Sequence, residues 1–206
     1  MKLTPQAWRA TTLLLGLLVS APATAHHPME GRLPTAWWEG LLSGLGHPLI
    51  GLDHFAFLLA AALLAAGRPR APLLLLGFVL ASLAGVFLHV GLVDLPAVEP
   101  MVAVSVLVFG VTVVLARPVG NAVFAVGLLA AALFHGHAFG ESIVGAERAP
   151  LVAYLAGLGL IQFAIMFGVM TVVQQFGPAA GRSLAYRATG AAIAVVGLAY
   201  LAVAMT

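Results

Sequence analysis

The sequence predicts an all-α fold, a bundle of six transmembrane helices behind a cleaved export signal. Three observations carry that reading. First, 62% of the 206 residues are hydrophobic and only 8% are charged, with a mean hydropathy of +1.10, whereas a soluble domain carries about 25% charge. Second, the apolar residues fall into runs of the roughly 20 residues that a helix needs to cross a hydrocarbon core. Third, glycine and alanine recur through those runs, the small residues that let backbones approach where no hydrophobic force drives helices together. A net charge of +2, nine Lys/Arg against seven Asp/Glu, is too small and scattered for a nucleic-acid surface. The chain has no cysteine, which removes disulfides, thiolate metal sites and iron–sulfur clusters together. Any metal ion must be held by imidazole, carboxylate, carbonyl or the chain terminus.

Residues 1–25 read as a signal peptide. Lys2 and Arg9 form a positive beginning, Thr11 to Ser20 a short apolar core, and Ala21 to Ala25 a small-x-small cleavage pattern. The apolar core is shorter than a spanning helix. Cleavage after Ala25 leaves a mature chain that starts His26-His27-Pro28, followed by a short periplasmic segment over 26–40. A free α-amine and an imidazole on one residue chelate metal in a small ring, with His27 as a third nitrogen. The other reading of that terminus is an idle tail.

The transmembrane domain is expected over 41–206. Its six spans are placed near Leu49 to Ala66, Leu73 to Leu92, Ala97 to Ala116, Asn121 to His137, Leu151 to Val173 and Tyr186 to Met205. Arg68 and Arg70, then Arg117, then Arg182 and Arg187 occupy alternate loops that hold no acid, so the positive-inside rule puts those loops in the cytoplasm. Both mature termini are then periplasmic or extracellular, and the export signal independently predicts the same for the N-terminus. Trp37 and Trp38 read as an interfacial belt.

Orientation groups the polar residues. His47, Asp53 and His54 open the first span from the outer side, His89 lies near the outer end of the second, and His135, His137 and Glu141 near the outer end of the fourth. Asp94 and Glu99 read as solvated loop acids. Ionisable groups within lipid are costly and mark function by default. Asp53 and His54 point about 100° apart on a helix, and Pro48 favours a helix start with His47 in the turn before it. Bringing His47 to the pair therefore needs an irregular entry, for which Gly44, Gly46 and Gly51 provide the freedom; broken backbone is tolerated at membrane depth where it lines a polar cavity. Asp53 either binds metal or orients an imidazole. His137 and Glu141, four apart, share a face if the helix continues, and His135 points elsewhere unless Gly136 breaks it. His89 is open between ligand and satisfied interfacial histidine.

His47-Pro48-x-x-Gly51-x-Asp53-His54, the His135-Gly136-x-Ala138-x-Gly140-Glu141 run, the signal peptide and the six spans together resemble the HupE/UreJ family of nickel and cobalt permeases. The resemblance covers nearly the whole mature chain, and five residues separate His47 from Asp53, unlike the four-residue gap of the other nickel/cobalt transporter class. Phe139 departs from the polar or histidine residue expected there. The resemblance implies secondary uptake of Ni²⁺ or Co²⁺, with Zn²⁺ also compatible, across a bacterial inner membrane, supplying hydrogenase, urease or cobalamin synthesis. It implies no enzyme activity and no permanently bound cofactor: the metal is cargo. His54 and Asp53 are then assigned to the central site, His47, His137, Glu141 and His135 to its completion, His89 to a relay, and His26 and His27 to outer capture. No nucleotide-binding loop is recognisable, so the driving force is membrane potential, about 4.6 kcal/mol for a divalent cation per 100 mV, or coupled protons. Ligation needs neutral imidazole, so uptake weakens as external pH falls through about 6.5. Two other classes fit the same residues: a membrane metalloenzyme with Glu141 as general base, and a haem protein with His54 and His135 as axial ligands.

Overall fold

A computed structural model describes residues 32–177 and 183–206. The signal peptide, His26, His27 and Arg182 lie outside these. Among the described residues there are seven helices and no strand: α1 (Trp37–Ile50), α2 (Leu52–Ala65), α3 (Ala71–Val90), α4 (Val98–Leu115), α5 (Asn121–Gly140), α6 (Arg148–Gln175) and α7 (Leu184–Ala204). Five of them, α3 to α7, are long and apolar enough to cross a membrane, and α1 and α2 pass the same test as a pair bent by 75°. The protein is an integral membrane protein. Large apolar side chains such as Leu73, Leu80, Phe87, Val123, Val152 and Leu160 are exposed along these helices, as lipid contact allows.

The expected first span is where structure and expectation differ most. The segment 49–66 is not one helix entered through a loop; α1 already begins at Trp37, within the segment expected to precede the membrane domain, and carries His47 and Pro48 inside its last turn. Proline is harmful in a helix interior because it lacks an N–H and crowds the carbonyl four residues back. Here that residue is Gly44, and the helix stops three residues later at Gly51. Elsewhere the boundaries move outwards: α5 continues to Gly140 and α6 runs from Arg148 to Gln175. Glu99 is not in a loop but in the first turn of α4, still exposed, as is Asp94.

Three helix pairs build the bundle, α1 on α6, α3 on α5 and α4 on α7, each closed by glycine. A Cβ on Gly44 would run into the backbone of Tyr154, one on Gly136 into the backbone of Ser82, and one on Gly197 into the backbone of Leu107. Backbone contact of this kind supplies dispersion that bulky side chains would hold apart. Gly40 abuts Pro150 at the beginning of α6, and Gln174 near the end of α6 donates to the Ala66 carbonyl at 2.9 Å. Thus α1 starts beside one end of α6 and α2 finishes beside the other.

The arginine loops converge at that second end. Arg68 donates to the carbonyls of Leu64 (2.9 Å) and Val119 (3.0 Å) and to Asn121 Oδ1 (2.8 Å), and its guanidinium lies 3.9 Å from the centre of the Phe124 ring. A cavity of about 720 Å³ opens here between Arg68, Arg117, Asn121, Gln174 and Tyr186.

Candidate functional site

Gly51 makes the junction between α1 and α2. Its extended backbone (φ −72°, ψ 101°) turns the chain, and its missing side chain lets the motif close. A Cβ there would lie 2.8 Å from His54 Cδ2, 3.4 Å from Asp53 Oδ1 and 3.5 Å from the His47 carbonyl oxygen. His47, Asp53 and His54 are all buried. They sit at a break between two helices, ten residues, about 15 Å of helix, beyond Trp37. The irregular entry that their convergence required is this break.

Hydrogen bonds set the tautomers. His47 Nδ1 lies 3.0 Å from the Tyr154 hydroxyl and 3.1 Å from Ser142 Oγ. Tyr154 donates to the Phe139 carbonyl at 2.8 Å, and Ser142 has the Phe139 carbonyl and the Tyr154 oxygen, both at 3.1 Å, to donate to. With the Tyr154 proton on the Phe139 carbonyl, the Tyr154 oxygen is an acceptor for His47 Nδ1–H, the tautomer that leaves the lone pair on Nε2.

His54 and His135 form a second relay. Ser105 Oγ donates to the Val102 carbonyl at 2.7 Å and lies 2.8 Å from His135 Nε2, so it accepts from Nε2–H. Neutral His135 then has an accepting Nδ1, which sits 2.7 Å from His54 Nδ1. His54 is the donor, and its Nε2 carries the lone pair. The His47 and His54 rings are 6.0 Å apart, edge to face, and Phe139 packs on both, 4.9 Å from His47 and 4.1 Å from His54. The phenyl ring at the position expected to be polar thus walls the two bases. Asp53 Oδ1, buried beside them, has no hydrogen-bond partner among the described residues, and Asp53 acts electrostatically on Tyr200 of α7. An unsatisfied buried carboxylate oxygen is costly unless a cation or proton meets it.

His137 and Glu141 are not part of this group. Residues 135 and 137 project about 200° apart on a helix, so α5 turns His135 toward α2 and α4 and His137 toward α3. His137 Nδ1 is 3.1 Å from His89 Nδ1, and its Nε2 is 3.0 Å from the Val93 carbonyl. Glu141 caps the end of α5, exposed, with no hydrogen bond to His137 among those described. Glu141 keeps helical dihedrals (φ −55°, ψ −38°) as the cap. His135, expected to point away from His137 and Glu141, meets His54. At 2.7 Å they leave no room for a macrocycle between them, as axial haem ligands require. Among the described residues, no three His, Asp or Glu side chains already close around one point.

Sequence reading did not single out Ser105, Ser142 and Tyr154, the residues that orient the histidines. Their signal was present: each is a hydroxyl in or beside an apolar helix, and such groups seek partners across helix interfaces.

The class defined by this fold and site is a polytopic helical membrane protein with buried imidazole and carboxylate groups at a broken helix. The profile of the HupE / UreJ protein family matches residues 13–200, and the chain belongs to that family. It is similar to Protein HupE of Rhizobium leguminosarum bv. viciae, with 30% identity over 196 residues that cover 94% of this chain and 97% of that protein. No solved structure matches it.

Proposed function

We propose that this protein is a permease for a divalent transition-metal ion, Ni²⁺ or Co²⁺, which meets His47 Nε2, His54 Nε2 and Asp53 Oδ1 at the break between α1 and α2. The observation that carries this reading is the tautomer order: two separate anchors, Tyr154 and Ser105 through His135, both leave Nε2 as the basic atom beside a carboxylate oxygen without a partner. Metal-binding histidines characteristically donate their other N–H to an oxygen or a further acceptor in this way. Imidazole and carboxylate without thiolate suit borderline divalent ions, including Zn²⁺.

The same reading joins α1 and α2 into one broken span, the first of six, because the pair begins and ends beside opposite ends of α6. Broken helices at membrane depth are where transporters bind their ions. The arginine loops then face the cytoplasm, the chain lies in the bacterial inner membrane, and both mature termini lie outside. Membrane potential drives the cation inward, where metal-using pathways such as those for hydrogenase, urease or cobalamin receive it.

Proteoliposomes holding a metal-sensitive dye test this reading. Wild type admits Ni²⁺ or Co²⁺ and His54→Ala does not. No entry in wild type, or full entry in His54→Ala, defeats it.

A further inference from the structure

Arg68 carries a charge that no carboxylate among the described residues answers. The three loops that bring arginines to its end of the bundle, 66–70, 116–120 and 176–183, contain no Asp or Glu, and the ion pair found among the described residues, Arg32 with Glu39, belongs to the beginning of α1. The half-buried guanidinium is nevertheless held in one place. Its Nε–H goes to the Leu64 carbonyl at 2.9 Å, its Nη1 protons go to the Val119 carbonyl at 3.0 Å and Asn121 Oδ1 at 2.8 Å, and the Phe124 ring centre lies 3.9 Å away. A guanidinium has five N–H donors. The two on Nη2 meet no acceptor among the described residues, and Arg68 lines the cavity of about 720 Å³ together with Arg117, which is exposed.

The cavity lies where helices end. Its wall takes in Ala66 just past α2, Ala116 just past α4, Asn121 at the start of α5 and Gln174 in the last turn of α6. For helices of membrane-spanning length, that is the level at which hydrocarbon gives way to headgroups. Leu63, Leu64 and Val173 make part of the lining apolar.

We infer that this cavity binds the phosphate of an anionic phospholipid, with Arg68 Nη2 and the Arg117 guanidinium as its cationic partners and the apolar wall against the first carbons of the acyl chains. Planar guanidinium donors match phosphate oxygens, and basic pockets between transmembrane helices suit phospholipid headgroups. The contacts to Leu64, Val119 and Asn121 fix Arg68 before the lipid arrives, so binding costs little side-chain freedom there. A free phosphate ion offers the same oxygens, but it has no use for an apolar wall at headgroup level. The site stands whether or not the chain carries metal.

Native mass spectrometry of the detergent-purified protein, mixed with equal amounts of phosphatidylglycerol and phosphatidylcholine, tests the inference. Wild type should keep about one phosphatidylglycerol per chain in preference to phosphatidylcholine. Arg117→Gln, altered at an exposed position outside any helix, should lower that preference about fivefold, and Arg68→Gln about tenfold. Arg70→Gln, exposed at the same end but outside the cavity, should leave it unchanged, and millimolar inorganic phosphate should not displace the lipid. No preference in wild type, an unchanged preference in both Arg68→Gln and Arg117→Gln, or an equal loss in Arg70→Gln would overturn the site. Displacement by inorganic phosphate would overturn the lipid in favour of a soluble anion.

Discussion

Two imidazole pairs on one helix, built alike but placed differently, show how position assigns chemistry. His135 and His137 are two residues apart on α5, yet one turns toward α2 and α4 and the other toward α3 and the loop that follows it. His135 is anchored by Ser105 and orients His54 where both are buried; His137 is anchored by the Val93 carbonyl and orients His89, which is only half-buried. The same hydrogen-bond order thus recurs in two surroundings. Asp53 is buried beside the first pair, whereas Glu141, just past His137 on α5, is exposed.

The comparison is broken most directly at His54. His54→Ala should reduce metal entry by about a hundredfold or more, as removal of a central ligand does, and flux measured by an internal dye checks it. Gly51→Ala comes next: its Cβ would press on His54 Cδ2 at 2.8 Å, and metal affinity by dialysis should drop by about tenfold to a hundredfold while the helices remain folded. Ser105→Ala removes the anchor of the buried pair alone. It should cost about tenfold in metal affinity measured by dialysis; an unchanged affinity would show that the anchor does not orient His54.

Two smaller effects sharpen the picture through stability. Gly136→Ala drives a Cβ into the Ser82 backbone between the two pairs, and overpacking of this kind costs about 1–3 kcal/mol, measurable as a fall in Tm. Arg68→Gln acts at the far end, where the guanidinium ties the first two arginine loops together and covers Phe124. It should cost about 1 kcal/mol of stability and leave Ni²⁺ stoichiometry unchanged.

Much of the bundle was legible in the sequence because lipid imposes length and polarity on each helix separately. The long helices α3 to α7 fall within a few residues of the apolar runs. The broken helix was legible only in part. Gly51 and the need for an irregular approach to Asp53-His54 are visible in the motif, but Pro48 by itself favours a helix start, whereas it lies in the last turn of a preceding helix. Packing of Gly40 and Gly44 on α6 decides for the second, since it holds Trp37 to Ile50 helical right up to the break. The partners of the histidines were less legible still. His137 and Glu141 have a spacing that suits a shared face, but the hydrogen-bond partner of His137 is His89, which only the packing of α3 on α5 brings to it.

By itself the sequence determined the solvent, the kinds of polar group available and the segments that bear them. Each follows from local properties: apolar run length, the absence of thiols, and imidazole and carboxylate groups too costly to place in lipid without use. Only the tertiary structure decided which imidazole meets which, because rings 81 and 48 positions apart in the chain are brought together by glycine contacts between helices. It also decided which ring nitrogen is basic, since that depends on Ser105, Tyr154 and the Val93 carbonyl, groups that reach the histidines only once the helices have packed.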